Sequence, residues 1–430
     1  MLERIFGLKR HGTGIATEAL AGGTTFLTMA YIVFVNPAIL ADAGMDRGAV
    51  FVATCLAAAF GSLAMGLIAN YPIALAPGMG INAYFAYSVV IGMGHPWPVA
   101  LGAVFVSGVL FLVLAVTRVR EAIINAIPHS LKLAISAGIG LFLAMIAFEN
   151  AGIAVAHPAT LVTVGDLSKP AVLLAAAGFV AMVAMDARRV PGAILIAILG
   201  VTAAAAALGL TSIEGVVALP PSPAPVLLKM DVAGALNLGL AAIVFTFLFI
   251  DLFDNAGTLI GLAHRAGLLD SNGRLPRLGR ALIADSLAAM ASGALGTSTT
   301  TSYIESAAGI KAGGRTGLTA VVVALLFVAA LFLAPLAAAV PPCATAPALL
   351  FIACLMIRGL AEIGWDDPTE AVPAALTAVA MPLTFSIAHG IGFGFISYAA
   401  IKLLSGRFRD AGPMVYALAA AFVVKYWVSG

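Results

Sequence analysis

Uncharged apolar stretches follow one another from Ile15 to Leu404, with only short polar links between them. A helix needs roughly 20 apolar residues to cross a bilayer. Stretches of about that length, some shorter, lie at Ile15–Val35, Ala49–Ala69, Ile73–Ile91, Pro98–Thr117, Ile127–Phe148, Ala171–Met185 and Gly192–Leu210. They recur at Ala233–Leu252, Ala281–Gly296, Ser302–Ile310, Leu318–Val340, Ala346–Leu360, Val372–Ile387 and Ile391–Leu404. Fourteen spans are expected, with Pro413–Val428 either a further span or an interfacial helix. Composition agrees: 62% of the 430 residues are hydrophobic, 10% are charged and mean hydropathy is +1.08. A soluble domain carries about 25% charged residues. The expected fold is therefore an all-α polytopic protein of the lipid bilayer. No polar stretch is long enough for a soluble domain, and the first apolar run is expected to stay as a span rather than be cleaved. A net charge of +2 gives no reason to expect nucleic acid as a partner. Cys55, Cys343 and Cys354 fall in apolar runs without metal-ligand spacing and read as small core residues.

Basic residues give an orientation. Arg4, Lys9 and Arg10 place the N-terminus in the cytoplasm. Arg118 with Arg120, Arg188 with Arg189, Arg265 with Arg274, Arg277 and Arg280, and Lys311 with Arg315 all follow even-numbered spans. So do Arg407 and Arg409. The halves also resemble each other. Gly48–Ala58 aligns with Gly279–Ala289, and Ala126–Glu149 with Ala339–Glu362, pairing span two with nine and span five with twelve. Seven spans per half is odd, so residues 221–430 would enter the membrane from the side opposite to residues 1–220. Such an inverted repeat is common among secondary transporters.

Two spans cannot run as continuous helices. Span three carries Pro77, Gly78 and Gly80 within ALAPGMGINAYFAY, and span ten carries the hydroxyl run GTSTTTSYIE. The breaks fall at equivalent places in the two repeats, which points to a transporter's midplane site. Each is expected to hold a short strand followed by a half-helix, beginning near Asn82 in one and near Glu305 in the other.

Three acids lie where acids are expensive. A carboxylate at the bilayer centre costs about 2.5–3.5 kcal/mol on insertion scales. Asp251 and Asp254 stand three apart on one face of span eight, with Asn255 on the same side, and Glu305 stands in span ten. No lysine or arginine lies in spans one, three, eight or ten to pair with them. Two neighbouring carboxyls away from water compete for the ionised state, so Asp251 and Asp254 can carry a proton. Thr24, Thr25, Thr28 and Asn36 of span one either join the site or act as interhelical glue, with glue favoured for the threonines; Asn36–Pro37 reads as the end of that span and Glu18 as interfacial. Glu149 and Glu362 fall at span ends and read as solvated. The six histidines form no cluster, and no metal site or cofactor is expected. The absence of a phosphate-binding loop, GxSxG or HExxH removes support for ATP-driven transport or intramembrane hydrolysis.

Four stretches then carry a resemblance: NPAILADAGM (Asn36–Met45), LAPGMGINAYFAY (Leu75–Tyr87), FIDLFDNAGTLIG (Phe249–Gly261), and GTSTTTSYIESAAGI with GGRTGLTA (Gly296–Ala320). They resemble the AzgA-like purine permeases of the nucleobase–cation symporter family, over nearly the whole chain. The resemblance implies a core domain of spans one to four and eight to eleven, a gate domain of spans five to seven and twelve to fourteen, and substrate between them. It implies import of adenine, guanine or hypoxanthine with protons across the plasma or inner membrane. It assigns purine binding to Asp251 and Glu305 with help from Asn82, and translocation or protonation to Asp254, beside which Asn255 stands. A purine base is flat and rich in N–H donors, which a carboxylate accepts. Tyr84, Phe85, Phe249 and Phe253 are candidate stacking faces, each weighed against plain packing. Sodium remains an alternative coupling ion, and an anion exchanger or channel on the same fold remains a competing reading. Asp251 and Glu305 argue against the anion exchanger. Assembly as a homodimer is left open.

Overall fold

Helices form on the apolar runs because, away from water, each backbone amide must find its acceptor within its own segment. The computed structural model describes residues 2–117, 127–158, 160–237, 241–265 and 276–429. Within these, the side chains of 241, 242, 253, 254, 256, 257, 260, 261, 263–265, 425, 428 and 429 lie outside the described set, as do Arg118, Arg120 and Arg274 entirely. The first half contains α1 (Leu2–Phe6), α2 (Ile15–Met29), α3 (Ile32–Asp42), α4 (Arg47–Ala64), β1 (Leu75–Pro77), α5 (Met79–Ala83), α6 (Trp97–Val116), α7 (His129–Asn150), β2 (Ala154–His157), β3 (Leu161–Val164), α8 (Pro170–Ala187) and α9 (Ala193–Ala207). The second contains α10 (Val232–Ala235), α11 (Ala241–Arg265), α12 (Leu278–Leu295), β4 (Thr300–Ser302), α13 (Ser306–Lys311), α14 (Gly317–Ala330), α15 (Ala334–Ala339), α16 (Pro342–Ile357), α17 (Pro368–Leu383), α18 (Ile387–Leu404) and α19 (Pro413–Ser429). Among the described residues nine helical segments are long and apolar enough to cross a membrane, with four shorter apolar helices beside them.

The order helix–strand–short helix–helix occurs twice, as α4–β1–α5–α6 and as α12–β4–α13–α14. The two strands pair antiparallel, Leu75 with Ser302, Ala76 with Thr301 and Pro77 with Thr300. Helices sort into two packing groups. In one, α2, α3, α4, α6, α11, α12 and α14 surround the paired strands. In the other, α7 packs on α16 and α17, α8 on α9 and α16, and α18 on α17 and α19. The groups meet where α5 and α11 touch α7, where α3 touches α16 and where α2 touches α9.

Several boundaries differ from the sequence reading. Span one is interrupted at Ala30–Tyr31 and resumes as α3 to Asp42, so Asn36–Pro37 lies inside a helix rather than at its end. Pro37 removes one amide and leaves one carbonyl without its helical donor. Asn36 Nδ2 beside it donates to Thr54 Oγ1 at 2.7 Å and to Thr297 Oγ1 at 2.8 Å, tying the helix to its neighbours. The described helix of span eight runs past Leu252 to Arg265, so Asp251 stands mid-helix. The half-helix of span three starts at Met79, ahead of Asn82, and continues as a π-helical stretch Tyr84–Gly92. Glu18 is fully buried instead of interfacial, accepting hydrogen bonds from Arg315 N at 2.9 Å, Thr319 N at 3.2 Å and Thr319 Oγ1 at 2.6 Å. It satisfies the open amides at the start of α14, a cheaper place for a carboxylate than apolar surroundings.

Candidate functional site

Two three-residue strands inside a bundle leave open edges that must be satisfied internally. Ser62 Oγ of α4 donates to Leu75 O and accepts from Leu75 N, both at 3.0 Å. Ser306 Oγ accepts from Ala74 N at 3.0 Å, and Gly78 N donates to Thr299 O at 3.0 Å. The hydroxyl run Thr297–Ser302 is buried throughout. Gly296 turns the chain out of α12 with φ +93, and a Cβ there would lie 2.5 Å from that of Val226. Only glycine suits both the angle and the space.

The expected polar residues gather around these strands. Asn82 is fully buried on α5, and its side-chain oxygen accepts a short hydrogen bond from Ser298 Oγ, joining span three to the chain leading into β4. Glu305 sits at the N-cap of α13 and makes no capping bond with its side chain. Its Oε1 instead accepts from Tyr31 Oη at 2.6 Å. Asp251 and Asn255 are fully buried on α11, the helix that packs on β4, α5 and α13. The side chains of Asp254 and Phe253 lie outside the described residues.

The aromatic candidates sit in packing. Tyr84 and Phe85 are fully buried, and Phe247 lies against both at ring-centre distances of 4.9 and 6.4 Å. Phe249 lies 4.4 Å from Phe245 and 6.4 Å from Phe395 of α18, so it bridges the two helix groups. A cavity of about 300 Å³, lined in part by Glu149 but by neither Asp251 nor Glu305, lies between α7, the β2–β3 hairpin and Phe385.

Three relevant residues escaped the sequence reading. Tyr31 and Tyr303 flank Glu305: their rings lie 6.5 Å apart, and Tyr303 Oη donates to Pro77 O at 2.6 Å. A polar-tipped ring beside the acid in the same motif, as in TSYIE, was the available signal for Tyr303. Tyr31 had none, because its partner is distant in sequence. Asp285 is a further fully buried carboxylate, on α12. It lies inside the expected span Ala281–Gly296, so the argument that singled out Asp251 applies to it as well.

An apolar helical bundle with an acidic, hydroxyl-rich centre where two helices break defines a multi-pass membrane permease. The xanthine/uracil permease profile, described as a permease family, matches residues 16–393, and the chain belongs to that family. Adenine permease AdeP of Escherichia coli (strain K12) is 51% identical over 99% of this chain and 96% of its own. Guanine/hypoxanthine permease PbuO of Bacillus subtilis (strain 168) is 44% identical over 99% of this chain and 100% of its own. In fold, the chain is similar to the transmembrane domain of the cyanobacterial bicarbonate transporter BicA, with a TM-score of 0.65 at 15% identity, covering 87% of this chain and 96% of that one.

Proposed function

We propose that the protein imports purine nucleobases across the cell membrane by proton symport, through alternating access. Transport of purines follows the relatives' names, adenine permease and guanine/hypoxanthine permease. The observation that carries the site is the fully buried Asp251 on the helix that packs against β4, α5 and α13, with Glu305 at the start of α13. A neutral purine presents N–H donors, and ionised carboxylates only accept. Asp251 and Glu305 would take those donors and Asn82 would add an amide. Asp254, with Asn255 beside it, would carry the proton. A ligand lacking N–H donors at these positions fails to meet the acceptors, which is the source of discrimination.

The proposal includes fourteen spans in two inverted repeats, residues 1–220 and 221–430, with the N-terminus cytoplasmic. Spans one to four and eight to eleven form the core domain, and spans five to seven and twelve to fourteen the gate. The two packing groups of helices support that division, since few contacts join them. Rocking of one group on the other would expose the carboxylates to each side in turn. The likeness to a bicarbonate transporter concerns fold, and acids at the crossing disfavour an anion there.

The test is radiolabelled adenine and hypoxanthine uptake into proteoliposomes under an imposed gradient. An inward proton gradient is expected to accelerate uptake. Asp251→Asn and Glu305→Gln should each lower it on the order of a hundredfold, the loss of a charge-assisted hydrogen bond and its buried partner. Uptake that ignores both substitutions would sink the site. Uptake driven by sodium and indifferent to pH would replace the proton with sodium.

A further inference from the structure

We infer that Tyr31 is the positioning residue for Glu305. This rests on the reading of Glu305 as a purine-binding group. Glu305 opens a six-residue helix, and its side chain makes no capping bond to that helix. Its partner comes from span one. Tyr31 stands at the interruption between α2 and α3, 1% exposed, and its hydroxyl donates to Glu305 Oε1 at 2.6 Å. That is the length of a charge-assisted O–H···O⁻ bond. Thr28, one turn earlier, donates its hydroxyl to Thr25 O at 2.8 Å and brings Oγ1 within 3.4 Å of the Glu305 backbone carbonyl. The Tyr31 ring lies beside that of Tyr303 at a ring-centre distance of 6.5 Å, and the Tyr303 hydroxyl donates to Pro77 O at the end of β1. Gly309 brings α13 against Ala21 and Thr25 of α2, where any side chain would collide. Span one, the half-helix of span ten and the strand of span three thus meet on one pair of rings and one carboxylate.

The consequence is a division of labour between the two oxygens of Glu305. Tyr31 takes Oε1, which leaves Oε2 to accept from a ligand N–H. Without the phenol the carboxylate samples other rotamers, and each ligand must reorder it on binding. That cost falls on affinity before it falls on turnover.

The experiment measures adenine uptake kinetics in proteoliposomes for wild type, Tyr31→Phe, Glu305→Asp and the double variant. Glu305→Asp keeps the charge and withdraws it from the Tyr31 hydroxyl. Tyr31→Phe is expected to raise KM about tenfold, the scale of one hydrogen bond to a charged group, with Vmax within about twofold. In the Glu305→Asp background the same substitution should add nothing. An equal KM increase in both backgrounds would show that Tyr31 acts structurally, and an unchanged KM in Tyr31→Phe would overturn the inference outright. Should Tyr31→Phe fail to fold, difluorotyrosine at position 31 keeps the shape and alters the acidity of the hydroxyl, and an unchanged KM there overturns it as well. Absence of purine uptake by the wild type would defeat the proposed function itself, a result distinct from all of these.

Discussion

Single side chains decide whether a bundle this apolar tolerates its acids. Glu18 shows the structural solution: a carboxylate placed where open helix amides need an acceptor. Replacing it with alanine would strand the amides of Arg315 and Thr319 and the Thr319 hydroxyl in a dry place. The expected loss is about 3 kcal/mol, one to three for each buried donor left unmet and partly relieved by relaxation. Thermal unfolding in detergent measures it, and a Glu18→Ala protein as stable as wild type would refute the capping role. Asp251 and Glu305 differ in kind, since neither caps its helix. Sequence singled out both by the cost of an acid in an apolar run. It misplaced Glu18 by the same logic, because the run of residues around Glu18 contains no sign of the helix start that covers it.

At the scale of elements, helix ends are set by partners as much as by propensity. The apolar runs of spans two, four, five and eleven are legible because their transfer free energy is local to each segment. Interruptions are less so: Pro37 passes inside α3, whereas Ala30–Tyr31, with no breaker residue, interrupts span one. The start of α17 gives an element-level prediction. Asp367 caps it, accepting from Thr369 N at 2.9 Å and Thr369 Oγ1 at 2.8 Å, and pairs with Arg407 Nη1 at 2.7 Å. The Thr369 hydroxyl and then Arg407 hold its carboxyl down at about 2, below the ordinary 3.8. A carboxyl depressed in the folded state contributes stability above its unfolded value, and that contribution is lost as pH falls through the folded value. Asp367→Asn should therefore lower the melting temperature near neutral pH. The gap to wild type should narrow between about pH 4 and pH 2. A gap that stays constant down to pH 2 would rule out ionisation of Asp367 as its source.

Across the whole molecule, two helix groups meet along α5, α11 and α7, with the paired strands inside the first. The proposed orientation places the β2–β3 hairpin outside the cell and the turn at Arg188–Arg189 inside. With Cys55, Cys343 and Cys354 replaced, a single cysteine at Thr163 should react with an impermeant maleimide on intact cells. One at Arg189 should react only after permeabilisation. The opposite pattern would invert the topology. By itself the sequence determined the membrane class, the helical architecture and the family, because apolar transfer energy and long motifs are properties of contiguous segments. Tertiary structure alone decided which acid meets which donor. Tyr31 and Glu305 stand 274 residues apart, and no local pattern encodes a contact that exists only once two broken spans cross.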